Sequence, residues 1–466
     1  MAKKKTNETE QSGSLYASAE KIYPRAVSGI FAMWRSIGVL ILLGIYYIVP
    51  WLEWADRQAV LFDLPNRKFH IFGLTFWPQD FFYFAVLLII AAFALFFFTA
   101  IAGRLWCGYA CPQTVWTEVF MWIARRIEGD RPKQIKLDKM PWNAYKIRIK
   151  ATKHFLWLAL AAYTGFTFVG YFTPIDELAS RILELSLGPW EWFWIIFYSF
   201  ATWGNAGFMR EQVCIYMCPY ARFQSAMFDN DTLIISYDEQ RGEPRGSRKR
   251  NEDPNEKGLG SCIDCTLCVQ VCPTGIDIRK GLQYQCIACS ACIDVCDDVM
   301  DKMGYERGLI KYTTENALQG KHVSLFRPRI LVYATALIIM SVSLAYAIAT
   351  RIPLEIDIIR DRTRLFNETS TGLIENIYSL QIINKDEKTH RYQISVAGID
   401  SMKMLIKSTT IQVSAGEVLD IPLRVQIDPY ELKKRSTEFM LSVTSIDNTD
   451  IKLTEAARFL GPAGRR

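Results

Sequence analysis

The chain has 466 residues, half of them apolar and 13% aromatic, yet 22% are charged and the formal net charge is +6. That mixture points away from a purely soluble domain and toward a membrane protein with sizeable soluble parts. The positive surplus follows the apolar segments and is accounted for by membrane topology, so nucleic acid is not an expected partner.

Residues 1–35 form a basic N-terminal segment with Lys3, Lys4, Lys5, Lys21, Arg25 and Arg35, and no signal-peptide core or cleavage site near the start. Apolar runs at 36–54, 81–103, 154–173, 190–208 and 330–349 are long enough to span a bilayer. Tyr46, Tyr47, Trp51 and Trp54 close the first, and Trp190, Trp192 and Trp194 open the fourth, as interfacial belts do. The loop 104–153 carries eleven Lys and Arg; loop 55–80 has only Arg57, Arg67 and Lys68, and loop 174–189 only Arg181. The positive-inside rule then predicts a multi-pass protein of the bacterial inner membrane, with a cytoplasmic N-terminus and a periplasmic C-terminus.

Spans two and four are each followed by the same motif. Cys107-Gly108-Tyr109-Ala110-Cys111-Pro112 and Cys214-Ile215-Tyr216-Met217-Cys218-Pro219 both read Cys-x-Tyr-x-Cys-Pro, with Arg104 and Arg210 shortly before. Residues 36–208 therefore read as four spans in two parallel repeats. If the helix continues through each motif, its two cysteines share one face, and the proline ends or bends it. Four thiolates at one depth suit a soft metal such as Cu(I), with the Met217 thioether as a further ligand, a dithiol–disulfide pair, or another iron–sulfur centre. His154 opens span three, where a polar helix-end histidine is the ordinary reading and a ligand the sharper one.

After a cytoplasmic linker at 209–260, the segment 261–300 holds eight cysteines in two Cys-x2-Cys-x2-Cys-x3-Cys runs: Cys262, Cys265, Cys268 and Cys272, then Cys286, Cys289, Cys292 and Cys296. This is the bacterial two-cluster ferredoxin spacing, in which the fourth thiolate of each run serves the other cluster. One [4Fe–4S] centre is thus expected on Cys262, Cys265, Cys268 and Cys296, the other on Cys286, Cys289, Cys292 and Cys272. Zinc sites and disulfide frameworks use other spacings or an oxidising compartment. The small residues Thr274, Gly275, Ala288, Ser290 and Ala291 fit a backbone closing round a cubane.

A connector at 301–329 and the fifth span, 330–349, lead to a cysteine-free stretch at 355–466. Period-2 runs at 377–382, 392–396, 411–413, 423–427 and 439–443, with turns at 384–386 and 415–417, predict an all-β immunoglobulin-like sandwich. The expected fold class is therefore a bundle of five transmembrane helices with an inserted α+β ferredoxin domain and a C-terminal all-β domain. The sequon at Asn367 is disregarded for a bacterial chain.

Taken together, the five spans, the paired Cys-x3-Cys-Pro motifs, the double ferredoxin run before the last span, the segments 231–238 and 241–245, and the outer β-domain resemble the cytochrome c oxidase accessory proteins called CcoG, FixG or Rdx. Asp297 stands where Pro273 follows the first run, which leaves ligation untouched. The resemblance implies assembly of a cbb-type haem–copper oxidase by reduction of Cu(II) to Cu(I). It makes Cys107, Cys111, Cys214 and Cys218 the candidate catalytic thiols and copper a substrate or ligand. Expected partners are the lipid bilayer, a cytoplasmic or quinol electron donor, and copper-trafficking and oxidase-assembly proteins. Two other classes stay open: a quinol-to-ferredoxin conduit like the respiratory polyferredoxins, and a scaffold whose outer domain binds oxidase subunits. No Cys-x-x-Cys-His haem motif extends a chain of carriers outward, and His390 is the obvious ligand left in the outer domain.

Overall fold

The computed structural model describes residues 21–462 apart from Asp56, Asn251, 253–257, Leu325, Asp400 and Lys433. Lys3, Lys4 and Lys5, counted toward an inner N-terminus, lie outside the described residues. The chain divides into two compact units: the described part of Met1–Ile48 with Ala92–Val169 and Leu185–Thr335, and Val49–Ala91 with Gly170–Glu184 and the described part of Ala336–Arg466.

Among the described residues, three stretches of helix are long and apolar enough to cross a membrane: Ile30–Trp51, Pro78–Ala102 and Pro328–Ala349. Their apolar side chains point outward. Phe81, Phe82, Leu87 and Leu88 are all more than half exposed, as are Val332, Ile338 and Ile339. In water each such side chain forgoes about 1.5–3 kcal/mol of burial, which a hydrocarbon solvent supplies instead. The two other expected spans are helical but differ in kind. Span 154–173 is the later part of Ala144–Val169, whose opening turns carry Lys146, Arg148, Lys150 and Lys153. Span 190–208 is Pro189–Thr202 continued by π-helical turns over Trp203–Met209. These two helices pack closely because Gly165 has no side chain: a Cβ there would lie 2.5 Å from the Ile195 carbonyl oxygen.

The cysteine-rich domain draws on more chain than 261–300. Its antiparallel ribbon pairs Ile234–Tyr237, from the expected linker, with Ile310–Thr313, from the expected connector. Ile235, Ile278, Ile293, Met300, Leu309 and Ile310 fill the core behind the cysteines.

In the second unit, one sheet runs 403–405, 418–427, 374–384, 354–360, with 367–368 beside 374–384. The other runs 410–413, 390–397, 436–445, 452–460. All five alternating runs fall on strands, and their inward residues, among them Tyr378, Leu380, Tyr392, Leu423, Phe439 and Leu441, form one apolar core. The strands 354–360, 403–405 and 452–460 had no counterpart in the period-2 runs. Loop 55–80 is also more ordered than its composition indicates, with a three-stranded meander over Val60–Asp63, Lys68–Ile71 and Leu74–Phe76.

Candidate metal centres

The two cysteine runs adopt the same backbone path. Asp264 and Thr266 sit at φ 53° and 57°, and Ala288 and Ser290, at the same offsets in the second run, at 53° and 63°. Left-handed conformations cost a non-glycine residue roughly 1–3 kcal/mol. Alternating them with ordinary residues curls successive N–H groups into a concave, anion-accepting nest. A helix then follows in each run, of four residues in Leu267–Gln270 and thirteen in Ala291–Met303.

The runs cross. Cys262, Cys265, Cys268 and Cys296 line one small hollow, closed by apolar neighbours such as Leu267, Val295 and Leu309. Cys272, Cys286, Cys289 and Cys292 line a second, with Cys268 at its edge. Burial pushes the Cys268 thiol up to about 11 and the Cys286 and Cys296 thiols up to about 12. A buried thiol that resists ionising in an apolar hollow needs a cation to make it a thiolate, so this donor set fits an iron–sulfur cubane. Among the described residues no three His, Cys, Asp or Glu side chains are close enough to hold a single ion. A cubane, with sulfurs at its corners, spreads its ligands wider than one ion does.

The paired motifs differ from expectation in their local structure. The helix does not run through them. Cys107 lies in the short helix Leu105–Tyr109, and Cys111 is the extended residue (φ −61°, ψ 129°) before Pro112–Glu128. In the second copy Cys214 lies in the π-helical turn Val213–Met217, and Cys218 is extended (φ −78°, ψ 110°) before Pro219–Ala226. Each proline begins a helix instead of ending one, because its missing N–H is not needed at a first helical position. Each second cysteine is thus the extended residue before a new helix, and the shared helix face expected of each motif is not formed.

The motifs nevertheless draw near one another. Burial pushes the Cys107 thiol up to about 12, with the nearby Cys111 and Cys214 adding to the rise and Arg104 opposing it. Burial likewise pushes Cys214 up to about 11, with contributions from Cys111 and Cys218. The Cys107 thiol donates to Gln224 Oε1 at 3.4 Å. Gln113 Nε2, from the helix after the first motif, donates to the carbonyls of Asn205 (3.0 Å) and Arg210 (3.1 Å), just before the second. Met217 is largely exposed. His154 is set among Trp157, Trp203 and Phe208, and its Nδ1 makes no hydrogen bond.

Sequence reasoning missed the residues that join the first motif to the second hollow. Gly108 lies flat on the loop between Cys286 and Cys289: a Cβ there would be 2.7 Å from the Ala288 oxygen and 2.8 Å from that of Ile287. Arg104 donates to the carbonyls of Cys286 (3.3 Å), Tyr284 and Ala221, tying first motif, cluster loop and second motif together. Tyr109 Oη meets Ser290 Oγ at 3.0 Å, and Cys107 packs on the core around Cys289. A glycine between a cysteine and a tyrosine was the one visible signal, since only Gly permits so close a backbone approach.

Three family descriptions match this chain: a 4Fe-4S dicluster domain over residues 209–315, a 4Fe-4S binding domain over 84–129, and the IG-like fold at the C-terminal of FixG over 344–462. Protein RdxA of Cereibacter sphaeroides is 41% identical over 88% of this chain and 87% of its own length. Protein RdxB of the same organism is 42% identical over 89% and 90%. Nitrogen fixation protein FixG of Rhizobium meliloti is 38% identical over 84% and 82%.

Proposed function

Since the chain belongs to the family of RdxA, RdxB and FixG, we propose that it is a membrane-bound carrier of single electrons that reduces Cu(II) to Cu(I) for assembly of a haem–copper oxidase. One [4Fe–4S] cluster is held by Cys262, Cys265, Cys268 and Cys296, the other by Cys272, Cys286, Cys289 and Cys292. When bound, each supplies storage for one electron. The observation that carries the reading is the seat of Gly108 on the Ile287–Ala288 backbone, which brings Cys107 into the apolar core around the cluster ligand Cys289.

The chain's own residues do the rest. Arg104 fixes the first motif against the cluster loop. Copper arrives as substrate: Cu(II) gains one electron and becomes Cu(I), a soft ion that Cys107, Cys111, Cys214 and Cys218 favour over water. Binding displaces protons from thiols that burial holds protonated. No three of these side chains lie within single-ion range in this structure, so a copper ion held by more than two of the thiols requires the motifs to draw closer. The N-terminus and cluster domain are cytoplasmic in this scheme and the β-sandwich periplasmic.

Anaerobic purification, iron analysis and EPR after dithionite test the reading. About eight irons per chain are expected, and zinc in their place overturns it. Cys107→Ser should leave the iron intact and cut Cu(I) binding and Cu(II) reduction sharply, with Cys107→Ser/Cys214→Ser little worse, as for groups acting as one unit. Wild-type copper reduction in a mutant lacking all four thiols removes copper from the proposal. A second reading, iron at these thiols, is favoured by the 4Fe-4S binding domain match over 84–129, a segment that contains only Cys107 and Cys111. It requires iron well above about eight per chain and loss of the excess in Cys107→Ser.

A further inference from the structure

A cavity of about 860 Å³ lies in the first unit between the helices Ile30–Ile48 and Pro112–Glu128 and the second cluster loop. Its size suits a drug-sized or cofactor-sized organic molecule. Both helices give it a single face. On the first, Ala32, Arg35, Ser36, Val39, Leu40 and Leu43 follow the i, i+3, i+4, i+7 rule, and on the second Thr117, Glu118, Met121 and Trp122 do. Each face is polar over one turn and apolar over the next.

The polar turn is built. Arg35, buried, pairs with Glu118 at 3.7 Å, and Arg125 holds the other Glu118 oxygen at 3.0 Å. Arg35 Nη1 also donates to the carbonyl oxygen of Cys289 at 2.9 Å, and Cys289 itself lines the cavity. The cavity also reaches Cys214 of the second membrane motif. Val39 is buried in the apolar wall, whereas Leu40, which also lines the cavity, is 72% exposed on a helix long and apolar enough to cross a membrane.

We propose that this cavity is a quinol-oxidation site, through which the electrons of the proposed copper reduction enter. The inference rests on that reading for its electron acceptors. A quinol has a polar ring with two hydroxyl donors and an apolar tail. The ring suits the Arg35–Glu118–Arg125 turn, and the tail suits Val39, Leu40, Leu43 and Met121. Oxidation breaks two O–H bonds and yields a quinone, two protons and two electrons. Two [4Fe–4S] centres, when held by the cysteines of the two hollows, would supply acceptors for one electron each. The protons pass to the lining carboxylates Glu118 and Glu211 and from them to water. A phospholipid is the competing occupant, because Arg25, Arg126 and Arg210 also line the cavity. It has no hydroxyl proton to give a lining carboxylate, and its displacement pattern is an outcome of the test.

The test uses the full chain in detergent, with a photoreactive short-chain benzoquinone whose attachment is mapped by mass spectrometry. Label on peptides from 30–48 and 112–128, displaced by unlabelled quinone, is expected. Label elsewhere, or label displaced by anionic phospholipid but not by quinone, overturns the proposal. Val39→Phe fills the apolar end and should weaken quinone binding by about tenfold or more at unchanged iron content. Glu118→Gln should retain binding while slowing the bleaching of cluster absorbance by a reduced short-chain quinol, about 10²-fold as for a lost acid–base group. Quinone binding read by labelling does not depend on iron. A chain that binds quinone but holds no iron would therefore sink the electron-carrier proposal and leave the site standing, whereas an iron-replete chain without label would do the reverse.

Discussion

At Gly108 a single missing methyl group decides whether the first thiol motif can touch the cluster loop. Two backbone carbonyls, those of Ile287 and Ala288, occupy the space a Cβ would need. Carbonyls anchored in a loop yield less than a flexible side-chain tip. Gly108→Val should therefore cost about 1–3 kcal/mol by overpacking. It should also slow electron delivery to the thiols while the iron content stays at wild-type level. Thermal unfolding and single-turnover copper reduction after photoreduction measure the two effects. An unchanged reduction rate would mean that the contact does not carry the transfer. The alternating left-handed residues make the complementary point. Thr266 and Ser290 hold strained backbones whose compensation lies in the hollows they enclose.

At the scale of elements, the basic loop after the first motif is a folded structure and not a solvated tether. Asp138 of helix Arg131–Lys139 takes Lys21 at 2.6 Å, Tyr23 at 2.7 Å and Lys150 at 2.5 Å. Burial works against its charge, but the bonds from Lys150, Lys21 and Tyr23 outweigh it and hold the carboxyl well below the ordinary carboxylate range. For a depressed carboxylate, the stabilisation is present above the unfolded value and is lost as pH falls through the folded one. Attachment of the segment after Lys21 should accordingly persist at pH 5 and fade only below about pH 4. Asp138→Asn should release it at every pH, read as faster hydrogen exchange at Ile22 and Tyr23; unchanged protection in the variant would refute this. Helix pairing answers to a different device. In Gly165→Val the side chain would collide with the Ile195 carbonyl and Ser199. A loss of about 1–3 kcal/mol is expected, seen as a lower midpoint in detergent denaturation, and an unaltered midpoint would show that the two helices part freely.

At the scale of the whole molecule, the proposed topology is decided by where the charges lie. A reporter active only outside the cytoplasm should be active when fused after residue 360 and silent when fused near 245. The opposite pattern would put the cluster cysteines in an oxidising compartment, where disulfides compete with iron. The second unit contains its own charged core. Lys385 of the sandwich reaches Asp80 at 2.9 Å and Glu355 at 2.5 Å, and Arg351 lies 3.6 Å from Asp80. Lys385 and Asp80 are buried and Arg351 and Glu355 partly so, and together they link the start of helix Phe81–Ala102 to the residues that follow the last span.

Local pattern was enough to foretell how the cysteines group. The spacing along a chain that must turn tightly round a cubane assigned Cys262 to Cys296 to two sets of four, and each set lines its own hollow. The sandwich was legible for a similar reason, since side chains alternate sides along a strand and only one side meets the core. The strands 403–405 and 452–460 were not, because the first is three residues long and the second buries only Ala457 and Phe459 near its end. The paired Cys-x-Tyr-x-Cys-Pro motifs announced a repeat, but their broken helices, the seat of Gly108, the bridge by Arg104 and the cavity beside Cys289 are products of packing. Each depends on atoms between about 90 and 260 residues apart in the chain, and no periodicity in a single segment encodes a meeting of two surfaces.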